Sequence, residues 1–193
     1  GERLGSPGRR SPQHRLPPWT RSARMCAPVS LMPSTDEALL AVALGANRPS
    51  AVGDPLDTFR AVRPMLEADL AAWADQPLRC RWSSLLDTAP VGPVEQPRYL
   101  NAVLLVEGIT AKPIEPLALQ LLDRLHQLER RFGRDRSREQ RWGPRSLDLD
   151  LLFWGELRME HPRLVLPHPR LHLRPFVLEP LLQAMQSPHP PCW

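Results

Sequence analysis

An α+β fold is predicted for the chain from three observations. Apolar residues along the chain alternate between short runs of strand type and longer stripes of helical spacing, in the order β-α-β-β-α-β. Two of the stripes are amphipathic, so each helix has one face to bury. The 193 residues suffice for one domain with a core and show no internal repeat or second domain. Together these give an antiparallel-rich sheet with two helices on one face, the ferredoxin-like pattern, extended by a C-terminal hairpin and helix.

The elements follow in order. "ALLAVALGAN" is a short buried strand that ends in a Gly-Ala-Asn turn. In "DPLDTFRAVRPMLEADLAAWADQ", Leu56, Phe59, Val62, Leu66, Leu70 and Trp73 recur at helical spacing, with Asp54 as N-cap and Pro55 in the first turn. Pro64, inside that helix, is expected to kink or interrupt it. "LRCRWSSLLDTA" reads as one strand, "PVGPVEQPR" as a Pro-rich loop and "YLNAVLLVEG" as a second strand. "KPIEPLALQLLDRLHQLERRFG" places Leu117, Leu121, Leu125, Leu128 and Phe132 on one stripe that closes near Gly133. A polar, arginine-dense loop, "RDRSREQRWGPRS", leads into the strand "LDLDLLFWG". The remainder to residue 183 gives an edge hairpin, a Pro-rich turn and a short helix.

Residues 1–37 are expected to be a disordered extension, because an Arg-, Pro-, Gly- and Ser-rich stretch without periodicity buries too little apolar area to offset its ordering. Residues 38–186 then form the folded domain and 187–193 a flexible tail. Of the 25 basic and 21 acidic side chains, six arginines and one acid fall in residues 1–24, which leaves the rest of the chain at −1. The net charge of +4 therefore gives no reason to expect a nucleic-acid surface on the domain. No apolar stretch is long enough to span a bilayer. Cys26, Cys80 and Cys192 lie far apart in no metal-binding spacing, which suits a reducing compartment, and a cytoplasmic location is expected.

The chemistry concentrates in "RWGPRSLDLDLLFWG". Residues two apart in a strand point the same way, so Asp148 and Asp150 share a face with Cα atoms ~6.6 Å apart, and Leu147, Leu149 and Leu151 take the opposite face. Carboxylates that close repel unless a cation lies between them. Magnesium suits the place, since it takes oxygen ligands and shares them with substrate phosphates. A pair of acids alone is a common pattern and by itself favours solvent exposure or pairing to nearby arginines over a metal site. Arg134, Arg136, Arg138, Arg141 and Arg145 lie just upstream, and guanidinium groups bind phosphate in bidentate fashion. Acids for a metal beside arginines for phosphate make a polyphosphate site. An RNA-binding sheet would need aromatics on its central strands, and "YLNAVLL" offers only Tyr99.

The segment closely resembles the signature of the 6-hydroxymethyl-7,8-dihydropterin pyrophosphokinase family of folate biosynthesis. The resemblance extends over residues 39–182 through "ALGAN", "TAPVGPVEQPRYLNAV", "LERRFGR" and "PRLVLPHPRLHLRPFVLEPL". It implies magnesium-dependent transfer of pyrophosphate from ATP to the pterin hydroxymethyl, with release of AMP. Two magnesium ions would be held by Asp148 and Asp150. Arg134 and Arg145 would act in catalysis on the phosphates, Arg145 on the transferring group. Glu129, His126, Arg163, His168 and Arg174 would make further ATP contacts. The pterin would be held by Thr88, Ala89, Val91 and Asn101, with Tyr99, Trp142 and Phe176 as aromatic elements. ATP and hydroxymethyldihydropterin are then the expected partners of a monomer that binds neither nucleic acid nor membrane.

Overall fold

The structure, a computed structural model, describes residues 1, 38–90, 95–138, 143–186 and 191–193. Contacts divide the chain into Gly1–Met32 and Pro33–Trp193, and all described residues except Gly1 belong to the second unit. The expectations for most of residues 1–37, for Arg141, and for Val91 and Trp142 in the pterin pocket lie outside the described residues.

Strand β1 (Ala38–Ala46) is the centre of the sheet, because its run of small and apolar side chains can be covered on both faces. It pairs antiparallel with β4 (Tyr99–Ile109) on one side and with β5 (Asp148–Trp154) on the other. Strands β2 (Arg79–Trp82) and β3 (Leu86–Thr88) both pair antiparallel with β4, so the sheet runs β2-β4-β1-β5 with β3 following β2 along the same side of β4. The single strand expected over 78–89 is thus broken, and Ser83 to Leu85 interrupt it.

Helices α1 (Pro55–Ala74) and α2 (Glu115–Arg131) cover one face. Phe59, Val62, Leu66 and Leu70 of α1 and Leu121, Leu125 and Leu128 of α2 meet Leu40, Val42, Leu44, Leu149 and Leu151 from the sheet. The expected stripes are largely the buried ones, and Asp54 caps α1 by accepting the Asp57 N–H. Pro64 does not interrupt α1. It stands on the exposed side, where the Arg60 carbonyl it leaves without a donor can turn to water, and the buried stripe holds the helix together.

Two further departures concern the C-terminal part. β6 (Met159–His161) and β7 (Leu164–Leu166) form a separate two-stranded sheet and not an edge of the main one. The terminal helix α3 (Pro175–Gln186) is not an appendage but a third layer. Its Val177, Leu181 and Ala184 bury the second face of the sheet at Ala41, Ala43, Val103, Leu105 and Leu152. β1 carries apolar residues on both sides, and among the described residues α3, with Leu171 before it, covers the second.

Candidate active site

The site lies on the α3 side of the sheet, at the ends of the central strands. Leu149 and Leu151 enter the α1–α2 core, so Asp148 and Asp150 point the other way, as strand alternation requires. Across the sheet Gly45 stands opposite both Asn101 and Asp148, and Ala43 stands opposite Asp150. Small residues in β1 thus form a floor with an amide at one end and two carboxylates at the other. A cavity of about 280 Å³ opens there, lined in part by Phe176 and Val177 at the start of α3. Of the expected residues, Thr88, Ala89, Tyr99, Asn101, Arg145, Asp148, Asp150, Arg174 and Phe176 line it.

The two acids are held by arginines. Asp148 bonds to Nη1 of Arg134 through one oxygen and to Nη1 of Arg145 through the other. Asp150 meets Nη1 of Arg174 at 3.4 Å. Burial works to raise the Asp148 carboxyl, and the guanidinium groups of Arg134 and Arg145 outweigh it and hold it below its usual range. Asp150 is pushed up to about 6 by burial and then by the Asp148 charge, with Arg174 opposing. The free protein therefore neutralises one acid with fixed cations and leaves its neighbour short of positive charge.

Glu129 does not line the cavity. It is 1% exposed, and its carboxylate accepts from Nη1 of Arg134 at 2.7 Å, from Nε and Nη2 of Arg136 at 2.8 Å each, and from the Leu149 N–H at 2.8 Å. Burial pushes its carboxyl up, while the Arg136 hydrogen bond and the charges of Arg134 and Arg136 pull against it. Since Leu149 lies between the two aspartates, Glu129 fixes their strand and, through Arg134, the cation on Asp148. Gly133, at a φ of 83°, ends α2 in the left-handed turn that leads Arg134 back to this carboxylate.

The other expected nucleotide contacts sit outside the cavity. His126, on α2, is pushed down to about 4 by burial and by the charges of Arg136, Arg134 and Arg163. Arg163, in the turn between β6 and β7, pairs with Asp123 of α2. His168 donates its backbone N–H to the Leu152 carbonyl at 2.7 Å, and its Nδ1 accepts the Arg170 N–H at 3.2 Å. Burial, then Arg174 and Arg170, lower its pKa.

The uncharged end of the cavity carries a different chemistry. The Asn101 side chain is 94% removed from solvent and donates to Thr88 Oγ1 at 2.9 Å and to the carbonyls of Leu86 and Tyr99 at 3.3 Å each. Tyr99 enters from the sheet, and Phe176 from α3, with the Arg174 guanidinium 5.7 Å from the Phe176 ring centre. An aromatic-walled slot with a buried amide suits a flat, hydrogen-bonding ring.

Sequence reasoning missed several contributors. Gly45, Gln96 and Arg170 line the cavity. Asn47, 2% exposed, joins the segments on either side: its Oδ1 accepts the Arg145 N–H at 2.8 Å, and its Nδ2 donates to Gln96 Oε1 at 3.0 Å and to the Pro97 carbonyl at 3.1 Å. The only signal was an Asn closing the turn after a buried strand.

A profile of the family described as 7,8-dihydro-6-hydroxymethylpterin-pyrophosphokinase (HPPK) matches residues 41–186, from β1 to the end of α3. The chain belongs to the HPPK family. A Bacillus subtilis protein named 2-amino-4-hydroxy-6-hydroxymethyldihydropteridine pyrophosphokinase is 34% identical over 146 residues, which are 76% of this chain and 77% of that protein. Its namesake from Haemophilus influenzae is 43% identical over 101 residues, 52% of this chain and 58% of that protein. An Arabidopsis thaliana protein named "Folate synthesis bifunctional protein, mitochondrial" is 40% identical over 147 residues. The chain thus spans 23% of the plant protein's length and somewhat over half of the Haemophilus one. All the cavity-lining residues fall within the segment matched to the HPPK family.

The donor set at the acids fits magnesium. It offers carboxylate oxygens on one face of β5, with no imidazole or thiol among the cavity-lining residues. Among the described residues no group of three His, Cys, Asp or Glu could hold a metal ion by itself. Such a partial shell suits an ion that takes its remaining oxygens from substrate phosphates and water. Among the described residues, no helix is long and apolar enough to cross a membrane.

Proposed function

We propose that the chain transfers a pyrophosphoryl group from ATP to 6-hydroxymethyl-7,8-dihydropterin and releases AMP, within residues 38–186. The observation that carries the reading is the adjacency, in one cavity, of a carboxylate pair flanked by arginines and an aromatic slot with a buried amide. One end suits a metal-bound polyphosphate and the other a pterin. The strand order β5-β1-β4-β2 with its two split β-α-β halves reads as ferredoxin-like.

In this mechanism Asp148 and Asp150 would hold two magnesium ions, which would supply positive charge to the phosphate oxygens. Asn101 fixes the edge of the pterin, and Tyr99 and Phe176 hold its faces, with Thr88 and Ala89 beside them. The hydroxymethyl oxygen then forms its bond to the β-phosphorus while the bond from that phosphorus to the bridging oxygen breaks. AMP leaves with the bridging oxygen, and the hydroxyl proton passes to solvent. Arg145 and Arg174, which here hold the acids, would contact the phosphate oxygens of a bound nucleotide, and Arg134 stays anchored by Glu129. His126, Arg163 and His168 remain candidate contacts for the outer part of the nucleotide. The protein works as a monomer in the cytoplasm, in keeping with the free thiols of Cys80 and Cys192.

Incubation with ATP, magnesium and hydroxymethyldihydropterin, with products separated by chromatography, tests the reading. AMP and the pterin diphosphate are expected in equal amounts, with none from Asp150→Ala. Formation of ADP, or unchanged turnover in Asp150→Ala, would refute it.

A further inference from the structure

The edge formed by β2 and β3 carries one residue more than its partner strand. Trp82 faces Leu104 and Leu86 faces Asn101, so four steps along this edge match three along β4. The extra residue makes a bulge over Ser83 to Leu85, and because side chains alternate along a strand, it exchanges the faces beyond it. Before the bulge, Trp82 and Cys80 lie against the α1–α2 core. After it, Thr88 lines the cavity and accepts the Asn101 amide at 2.9 Å. In an unbulged register Thr88 would turn towards that core, and the amide would lose its hydroxyl partner.

The bulge is held from two sides. Towards β4, the Ser83 N–H donates to the Val103 carbonyl at 2.9 Å, and Ser83 Oγ accepts the Val103 N–H at 2.9 Å. From outside the sheet, Trp193 donates its indole N–H to the Ser83 carbonyl at 2.9 Å. That indole is itself fixed: it meets Trp82 edge-on with ring centres 5.2 Å apart, and Phe59 at 6.1 Å. The Arg63 guanidinium lies 5.4 Å from the Trp82 ring centre and 5.1 Å from that of Trp193, and Arg63 also donates to the Trp193 backbone oxygen at 3.0 Å. Glu67 completes the cluster by accepting the Trp82 indole N–H at 2.6 Å and pairing with Arg63 at 3.7 Å.

We propose that Trp193 is a positioning residue for pterin recognition, its indole N–H fixing the bulge that turns Thr88 into the cavity. The inference rests on the assignment of Thr88 and Asn101 to the pterin slot. Its reach is selective: the bulge serves the amide end of the cavity, and the acids of β5 lie three strands away.

Two variants of the full chain test it. Trp193→Phe keeps a ring in the cluster and removes the N–H, and Trp193→Ala removes both. Trp193→Phe is expected to raise the KM for the pterin roughly fivefold, the effect of losing one hydrogen bond, with kcat and the KM for ATP within about twofold of wild type. Amide exchange over residues 85–88 is expected to quicken in parallel, and Trp193→Ala to move both further. A tryptophan that merely fills the core would lower Tm and leave pterin KM and exchange over 85–88 unchanged in the folded variants; that result overturns the proposal. If wild type makes no AMP, the functional reading falls by itself, while exchange over 85–88 still decides whether Trp193 holds the bulge.

Discussion

Asp150 is charged at a cost to the fold. Its carboxyl is pushed from 3.8 up to about 6, first by burial and then by Asp148. A carboxyl whose folded pKa lies above its unfolded one contributes stability below the unfolded value, here about pH 4, and loses it as pH rises through about 6. Asp150→Asn cannot ionise, so near neutral pH it should be more stable than wild type although inactive. A third of the side chain is exposed, and solvent screens part of the penalty. The expected gain is therefore about 1 kcal/mol, or about 2–4 °C in Tm for a domain of this size. Calorimetry from acid to neutral pH checks this, and the advantage should vanish below about pH 4. Burial raises the Glu129 carboxyl as well, but this carboxylate is held by hydrogen bonds from two arginines and a backbone N–H. Glu129→Ala removes the buried carboxylate that accepts from Arg134, Arg136 and the Leu149 N–H, and should cost about 3–5 kcal/mol in urea unfolding. His126, at about 4, is neutral near pH 7, so it can offer a nucleotide a hydrogen bond but no charge. His126→Gln should then keep the KM for ATP within about threefold.

At the scale of elements, the site depends on where strands meet. Gly45 links Asn101 and Asp148 across the sheet, and a methyl added there would meet its nearest neighbours at 3.7–4.0 Å, ordinary contact distances. Gly45→Ala should therefore fold as well as wild type by Tm. Its methyl narrows the floor between the two ends of the cavity, so substrate KM should rise several-fold. Far from the site, Pro64 removes a hydrogen bond from an exposed turn of α1. Pro64→Ala should raise stability by about 1–3 kcal/mol, read by urea unfolding, with turnover unchanged.

At the scale of the whole molecule, the parts legible in the sequence are those with a local signal. Period changes gave the strands and the two long helices, and the charge pattern around Asp148 and Asp150 pointed to the charged end of the cavity. What escaped depends on contacts distant in the chain. Glu129 reads as one more charge on an amphipathic helix until the turn at Gly133 brings it to the Leu149 N–H. Asn47 earns its place only by meeting Arg145, ninety-eight residues on, and Gln96. The bulge at Ser83 is invisible in a strand-like run, since register belongs to a pair of strands. α3 looked terminal because its burial partner, the second face of β1, carries alanines that suit either a core or a surface.

The central proposal is an exchange of cations: arginines hold Asp148 and leave Asp150 short of positive charge in the free protein, and magnesium would supply that charge when nucleotide binds. Calorimetric titration of a non-hydrolysable ATP analogue, with and without magnesium, tests it most directly. Binding should be at least about tenfold tighter with magnesium, as expected for losing a metal-bridged phosphate contact, and Asp148→Asn and Asp150→Asn should each abolish that difference. Equal affinity with magnesium and with chelator, or a magnesium effect that survives both substitutions, would contradict the account.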